Sequence, residues 1–285
     1  MLGPFDDGYR GRRIDFLLRT DDSITVEDMK RYQADSLEVR AQEIVPYVVS
    51  AWQRAGDGNS TVNQAVQWLS NWDFVMDPDE IAPTLWPHLL QAIGERTFDE
   101  LAGLDVPLSR VPILERLIKE NNSYYFDDHR TPEIETRDDI MVVALHDALD
   151  EMVKEHGHDT ANWVYGAHHV IRIGHIAGLT YIGGGPHRGQ DTLNAAHGWT
   201  VRSGPSWRMV ADLGDIGRSF GVYPGGQSGN IVRKHWDDLF WLWYTFDEES
   251  ETYDYHMMYF YASPEEFAAA DTTGTMIERE LVFVP

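Results

Sequence analysis

The sequence predicts an α+β fold, with a mostly helical first half over about residues 1–157 and a mainly antiparallel β second half over about 158–285. Apolar residues recur at helical spacing in the first half, and short β-type runs replace them afterwards. Hydrophobic residues make up 42% of the chain and aromatic residues 12%, which is enough to bury a sizeable core. Helices that precede the strands, rather than alternate with them, favour α+β over α/β architecture.

The first clear helical segment begins near Thr25, where Thr25 and Asp28 form a variant of the capping box. Apolar residues at helical spacing continue as far as Trp52. Pro46 lies within this run and is expected to kink or split it, and the turn at 56–59 ends it. The remaining predicted helices span 62–72, 79–94, 112–121 and 137–156.

In the second half, the first β-type run lies at 170–173. The glycine-rich segment 183–186 is predicted to be a loop. Further strands are predicted at 192–195, 206–213, 219–223, 253–261 and 276–284. The chain contains no internal repeat and no low-complexity linker, so we expect the two halves to form one domain.

The formal net charge of −24 excludes nucleic acid as an expected partner, because an acidic surface repels phosphate. The cations are four lysines and nineteen arginines, and many carboxylates with few lysines indicate a protein from a high-salt cytoplasm. An ordinary acidic protein is the alternative. Cysteine is absent, no stretch is apolar enough to span a membrane, and the N-terminus does not resemble a secretory signal. A cytoplasmic location is therefore the default expectation.

Three blocks, in order along the chain, resemble the penicillin acylase (penicillin amidase) family. The first comprises 8–18 (GYRGRRIDFLL), 23–29 and 33–35; the second 163–168 (WVYGAH), 183–185 and 191–195 (DTLNA); the third 204–213 (GPSWRMVADL), 224–230 (PGGQSGN) and 235–239 (HWDDL). The resemblance implies an N-terminal nucleophile hydrolase with a four-layer αββα sandwich. In that family a serine at the start of the large chain attacks an amide carbonyl, its own α-amine is the base, and an asparagine stabilises the oxyanion.

This chain corresponds to the C-terminal portion of the family's large chain, so 1–285 is expected to be one partial domain. The serine and the oxyanion asparagine lie upstream of the segment that matches Gly8. We therefore expect a split, truncated or mis-started gene, a chain inactive on its own, and the upstream part of the enzyme as its partner. Family substrates are small-molecule amides, including β-lactam side chains and N-acyl homoserine lactones. The alternative is a non-catalytic remnant or binding protein that retains the back half of the fold.

Within the chain, no serine offers itself as a substitute nucleophile. The Asn–Ser pairs at 59–60 and 122–123 lie in turn-like segments, where such pairs are common, and they lack the context of the family's processing sites. Ser203 and Ser206 lack a G-x-S-x-G context. We therefore expect no catalytic serine in this chain.

Arg10 is the one candidate catalytic-site residue, in a supporting role. The resemblance aligns it with an arginine that the family places near the nucleophile and the oxyanion asparagine. A guanidinium there would keep the α-amine neutral by like-charge repulsion and orient the asparagine. The alternative is an ordinary surface or salt-bridged arginine in a basic run with Arg12 and Arg13.

No metal or cofactor is expected in this chain, since the calcium often bound by the family is held mostly by upstream residues. The five histidines of the second half have no known ligand spacing and no acid in helical register: His168, His169, His175, His187 and His197. The loop 225–229 lacks the lysine of a phosphate-binding loop, and its glycines are expected to permit a tight turn with positive φ. The aromatic run 240–244 is interpreted as core packing.

Overall fold

The computed structural model describes residues 7–104, 111–121 and 123–258. It confirms the α+β class, with helices up to residue 156 and small, mostly antiparallel sheets from residue 170 onwards. The first seven α-helices are α1 (Tyr9–Thr20), α2 (Val26–Ala34), α3 (Val39–Ala55), α4 (Ser60–Asn71), α5 (Ala82–Thr97), α6 (Val111–Glu120) and α7 (Arg137–His156). Within these described ranges, no helix is both long enough and apolar enough to cross a lipid bilayer.

The segment predicted as one helix from Thr25 to Trp52 is in fact two helices, α2 and α3. The break falls at 35–38, where Leu37 forms an isolated β-bridge with Val75 and the Glu38 side chain caps α3 by accepting from the backbone N–H of Arg40. Pro46 lies inside α3 without splitting it, because buried neighbours hold that helix against the core. The predicted capping box at Thr25 is confirmed.

Helix α7 has the predicted bounds and is the centre of the helical core. A second capping box begins it: the Thr136 side chain accepts from the backbone N–H of Asp139, whose carboxylate accepts from the backbone N–H of Thr136. Helices α3 and α5 both pack on α7. The buried residues of α7 are Ile140, Met141, Ala144, Leu145, Ala148, Leu149 and Met152. This stripe at helical spacing is what the sequence pattern required.

The strands are β1 (Val170–Gly174), β2 (Tyr181–Pro186), β3 (Thr200–Val201), β4 (Arg208–Val210), β5 (Phe220–Val222), β6 (Phe246–Asp247), β7 (Thr252–Tyr253) and β8 (His256–Met257). They form sheets of order β2-β1-β3, β4-β5-β8 and β6-β7, in which only the β1–β3 pair is parallel. The predicted loop at 183–186 is therefore part of a strand, and the predicted strand at 192–195 is absent. The predicted strand at 276–284 and the end of that at 253–261 lie outside the described residues.

A second, smaller core lies among these strands. It contains Ile171, Ile182, Val201 and Val222 together with residues of the short helix α8 (Phe240–Tyr244). Phe240 and Trp243 are buried there, as the interpretation of the aromatic run required, whereas Trp241 is exposed.

The loop 225–229 departs from its predicted backbone geometry. None of its glycines has a positive φ among the described residues. Gly226 is required for a different reason: a Cβ atom at this position would lie 2.2 Å from the backbone oxygen of His235. The loop is therefore specified by a close backbone approach and not by a left-handed turn.

Candidate functional site

A cavity of about 570 Å³ lies between α1, α2 and the segments 193–197 and 203–208. Each of the three sequence blocks contributes to its walls. The lining residues are Arg10, Ile14, Leu17, Leu18, Met29, Tyr32, Gln33, Leu193, Ala195, His197, Ser203, Gly204, Pro205, Ser206, Trp207 and Arg208. The walls combine aliphatic side chains with a few polar groups, and none of the described residues that line the cavity carries a carboxylate.

Helix α1 presents one face to the cavity. Arg10, Ile14 and Leu17 follow one another at spacings of four and three residues, which place them along one side of a helix. Helix α1 was not predicted from the sequence, because its first turns are polar and rich in glycine and arginine. Its start is marked by Gly8, whose φ of 84° is left-handed.

The other faces of α1 hold it in place through charged partners. Arg12 pairs with Glu43 at 3.2 Å and with Glu115 at 3.6 Å. Arg13 pairs with Asp35 at 2.5 Å. These contacts tie α1 to α3, α6 and the end of α2.

Arg10 differs from both of its basic neighbours. It is exposed, lines the cavity, and has no hydrogen-bond or ion-pair partner among the described residues. The salt-bridged form of the alternative thus describes Arg12 and Arg13, whereas an ordinary surface arginine stays the alternative for Arg10. A guanidinium without a carboxylate partner keeps its full field available to a ligand or to groups brought alongside it.

Arg208 forms part of the cavity floor and is only 1% exposed. One terminal nitrogen donates to the backbone oxygen of Trp243 at 2.6 Å, and the other donates to Oδ1 of Asn194 at 3.1 Å. Its guanidinium also lies 3.9 Å from the ring centroid of Tyr253. No acid pairs with it in the described part of the chain, and its buried Nε has no partner there. Burial lowers the pKa of Arg208 from its ordinary value.

Asn194 joins this floor to the surrounding backbone. Its side-chain nitrogen donates to the backbone oxygen of Arg188 at 3.1 Å and to Oη of Tyr253 at 2.8 Å, while its backbone N–H donates to the backbone oxygen of Asp35 at 2.8 Å. Burial of an amide requires such partners. The contacts fix Leu193 and Ala195 as part of the cavity wall.

Neither Arg208 nor Asn194 was predicted from the sequence as a site residue. A signal for Arg208 existed, because strand alternation from 206 to 213 places it in phase with Val210, which is buried. An arginine on a buried strand face requires partners or a function. No comparable signal marked Asn194, whose partners come from four separate segments.

A chain of charged groups supports the same wall. The Arg40 guanidinium contacts Glu38 at 2.5 Å and Asp191 at 2.7 Å, and Asp191 contacts Nδ1 of His197 at 3.0 Å. His197 and Ser203 both line the cavity, but no hydrogen bond joins His197 to a serine hydroxyl within the described residues. Among the described residues, the acid–histidine pair therefore has no serine hydroxyl positioned beside it.

The five histidines considered for metal binding do not converge. In the described part of the chain, no three of them meet at ligand distance, either alone or with a carboxylate. The Asn–Ser pair at 59–60 is a helix start, where the Asn59 side chain accepts from the backbone N–H groups of Thr61 and Val62. The second pair, at 122–123, includes Asn122, which lies outside the described residues.

The cavity combines aliphatic walls with two guanidinium groups, Arg10 and Arg208. Such a site suits a ligand with an apolar chain and an oxygen-rich polar end. Hydrolysis of an acyl amide produces negative charge where the apolar acyl chain joins the reacting carbonyl. Positive charge placed there stabilises it.

Comparison with known proteins agrees with this geometry. The family model described as penicillin amidase matches residues 2–251. The chain is similar to the acyl-homoserine lactone acylase QuiP of Pseudomonas fluorescens (strain Pf0-1), with 28% identity over 194 residues that cover 61% of this chain and 23% of the relative. It is also similar to QuiP of Pseudomonas aeruginosa PAO1, with 26% identity over 222 residues that cover 65% of this chain and 26% of the relative.

The chain thus spans about a quarter of the length of these curated relatives. The family match, in contrast, covers most of the chain and includes every element that lines the cavity. The chain belongs to the penicillin amidase family, whose members are amide hydrolases.

Proposed function

We propose that this chain forms one wall of the active site of an enzyme that hydrolyses linear N-acyl amides of the acyl-homoserine lactone class. The cavity would receive the apolar acyl chain against Ile14, Leu17 and Met29. The names of the two relatives, both acyl-homoserine lactone acylases, support this substrate class, and the aliphatic walls support an acyl group over a polar one. β-Lactam side-chain amides are the other substrate class of the family.

The observation that carries the proposal is the position and state of Arg10. Its guanidinium stands at an apolar cavity without a carboxylate partner among the described residues. In the proposed enzyme it lies beside the α-amine of the N-terminal serine. Like-charge repulsion then keeps that amine neutral, so that it accepts the proton of the serine hydroxyl.

The match covers only about a quarter of each relative, which supports a partner that supplies the rest of the enzyme. We propose that the upstream part of the same enzyme supplies the serine and the oxyanion asparagine, either as a separate chain or as a longer gene product. Helix α1 carries exposed Ile14, Phe16 and Leu18, a set of apolar side chains that fits a covering polypeptide.

The test uses the longer enzyme that contains both parts. Arg10→Ala is expected to lower kcat/KM on an N-acyl homoserine lactone about 10²- to 10³-fold, since it removes preorganised positive charge at the reacting centre. Thermal unfolding should change little, because Arg10 is exposed and has no partner in the described part of the chain. Arg10→Lys should retain part of the activity.

Arg19→Ala is the matched control, because Arg19 lies on the same helix and forms an ion pair with exposed Asp15. Equal effects of Arg10→Ala and Arg19→Ala would remove the special role of Arg10. The chain alone is expected to hydrolyse neither an acyl homoserine lactone nor a chromogenic phenylacetyl amide. Turnover by the chain alone that disappears in Ser203→Ala or Ser206→Ala would overturn the proposal.

A further inference from the structure

Three potential metal ligands converge where α5 meets the last turn of α7. They are His88 from α5 and the adjacent Glu155 and His156 at the end of α7. The cluster is separate from the cavity, and none of its members was among the histidines considered from sequence. Its formation follows from the packing of α5 on α7, which brings residues far apart in sequence together.

The distances between the ligand atoms of the cluster are somewhat longer than those in an occupied metal centre. Oε2 of Glu155 lies 3.8 Å from Nε2 of His88 and 3.8 Å from Nε2 of His156. All three ligand atoms lie within 4.8 Å of one another. In a tetrahedral zinc site, ligands at about 2.0–2.2 Å from the ion are separated by about 3.4 Å. The two separations between Glu155 and the histidines would therefore have to shorten by about 0.4 Å each to match such a site.

The Nε2 atoms of the two histidines are the candidate ligand atoms. Nε2 of His88 and Nε2 of His156 are both buried, and neither has a hydrogen-bond partner among the residues that the structure describes. The side chains are 9% and 10% exposed, and 3.8 Å is too long for a hydrogen bond to Glu155. Two buried imidazole nitrogens without hydrogen bonds lower the stability of the fold unless another group, such as an ion, lies between them and the carboxylate.

The local electrostatics favour a bound cation. His156 is the last residue of α7, and the C-terminal end of a helix carries partial negative charge. Half-exposed Glu155 supplies a full negative charge.

We propose that Nε2 of His88, Nε2 of His156 and the Glu155 carboxylate bind a late first-row divalent cation, with Zn²⁺ as its representative. Two imidazoles and one carboxylate suit Zn²⁺ and do not suit Ca²⁺ or Mg²⁺, which require oxygen ligands. A water completes the coordination on the exposed side of Glu155. The second acidic cluster, Asp99, Glu100 and His129, has one histidine, and both Glu100 and His129 are exposed, so we do not assign it a metal.

The site would act as a clamp between two helices of the core. A bound ion fixes the end of α7 against α5, next to His168, whose ring centroid lies 3.8 Å from that of His156. His168 ends the short helical turn Tyr165–Ala167, which leads into β1. The ion would thus stabilise the junction between the helical half and the first sheet.

The experiment is a titration of the metal-free purified protein with Zn²⁺. We expect one equivalent to bind by calorimetry and the unfolding midpoint to rise by about 5 °C or more with excess metal. Co²⁺ should give the visible absorption of a tetrahedral site, and Ca²⁺ should give no shift. His88→Gln, His156→Gln and Glu155→Gln should each weaken Zn²⁺ binding about tenfold or more.

His146→Gln is the matched control, because His146 lies on the same helix outside the cluster, and His129→Gln tests the second acidic cluster. Both are expected to bind Zn²⁺ as the unaltered protein does. Glu155→Gln changes an exposed side chain, so its fold is expected to be retained by circular dichroism. Absence of stoichiometric binding, or binding that survives all three ligand substitutions, would overturn the proposal.

Discussion

Arg208 is a charged side chain removed almost completely from water without an acidic partner in the described part of the chain. Burial of such a charge costs several kcal/mol unless other groups compensate it. Here the compensation comes from two oxygen acceptors and the faces of Tyr253 and Trp243, whose π-electrons attract a cation. The remaining positive charge of Arg208 affects the pKa of titratable groups close to it.

His187 shows the consequence of that field. Its ring stacks against Trp243 and Tyr253, with centroid distances of 5.1 and 5.5 Å. Burial, helped by the charge of Arg208, lowers the pKa of His187 to about 3. Between that value and the ordinary 6.5, the unfolded chain binds a proton that the folded protein does not bind. Stability is therefore complete above pH 6.5 and is lost as the pH falls towards 3.

We predict that the free energy of unfolding falls by about 2 kcal/mol between pH 6.5 and 5 because of His187 alone. His187→Phe keeps an aromatic ring in the stack but cannot titrate, so its stability should depend less steeply on pH across this interval. Chemical unfolding at several pH values measures the slope. His158→Gln, at an exposed position, is the control, and equal slopes for the two variants would contradict the prediction.

The loop between β5 and α8 shows how an element depends on one small residue. The backbone N–H of Ser228 donates to the carbonyl of His235, and that of Leu239 donates to the carbonyl of Gly225. These bonds fold the loop on itself, so that Gly226 lies against the His235 carbonyl and the Asp238 carboxylate.

We predict that Gly226→Ala destabilises the protein by about 1–3 kcal/mol, because the new methyl group requires the backbone at His235 to move. Gly229→Ala is the matched substitution in the same loop. Its Cβ would meet no atom within 4 Å and its φ is not positive, so it should be neutral or slightly stabilising. Denaturant unfolding compares the two variants, and similar losses of stability would mean that close approach is not the constraint at Gly226.

At the scale of elements, local signals predicted the fold well where they were strong. The capping residue Thr25 and the buried stripe of α7 depend on neighbours in sequence, so the pattern was sufficient. The break between α2 and α3 depends on the pairing of Leu37 with Val75, and strand β2 depends on its pairing with β1. Such long-range contacts override local propensity, and no pattern in the local sequence indicates them.

The candidate site follows the same rule. Arg10 was found through resemblance, and strand alternation around Val210 carried a local signal for Arg208. Asn194 became visible only when separate segments came together.

At the scale of the molecule, the charge of −24 acts on the whole folded chain. Many of the ion pairs are at the surface and weak, so they do not offset the repulsion among the excess carboxylates. Salt screens this repulsion, since the Debye length falls from about 10 Å at 0.1 M to about 3 Å at 1 M.

We predict that the thermal midpoint rises as KCl increases from about 0.1 M to molar concentration, as a protein from a high-salt cytoplasm requires. Calorimetry or fluorescence over a KCl series measures this. Sucrose of equal osmolality is the control, because it stabilises folded proteins without screening charge. A flat or falling midpoint in KCl, or an equal rise in sucrose, would contradict the halophilic interpretation.

The residues that line the cavity belong to neither of the two buried cores. Substitutions at Leu17, Leu193 or Trp207 therefore reshape the cavity without removing a side chain from either core. Most substitutions in proteins are limited by the stability that they cost, and these positions are largely free of that limit. The architecture thus makes the pocket evolvable: selection for a ligand of different size acts on positions where stability imposes little constraint, and the same positions are the natural choice for a focused library.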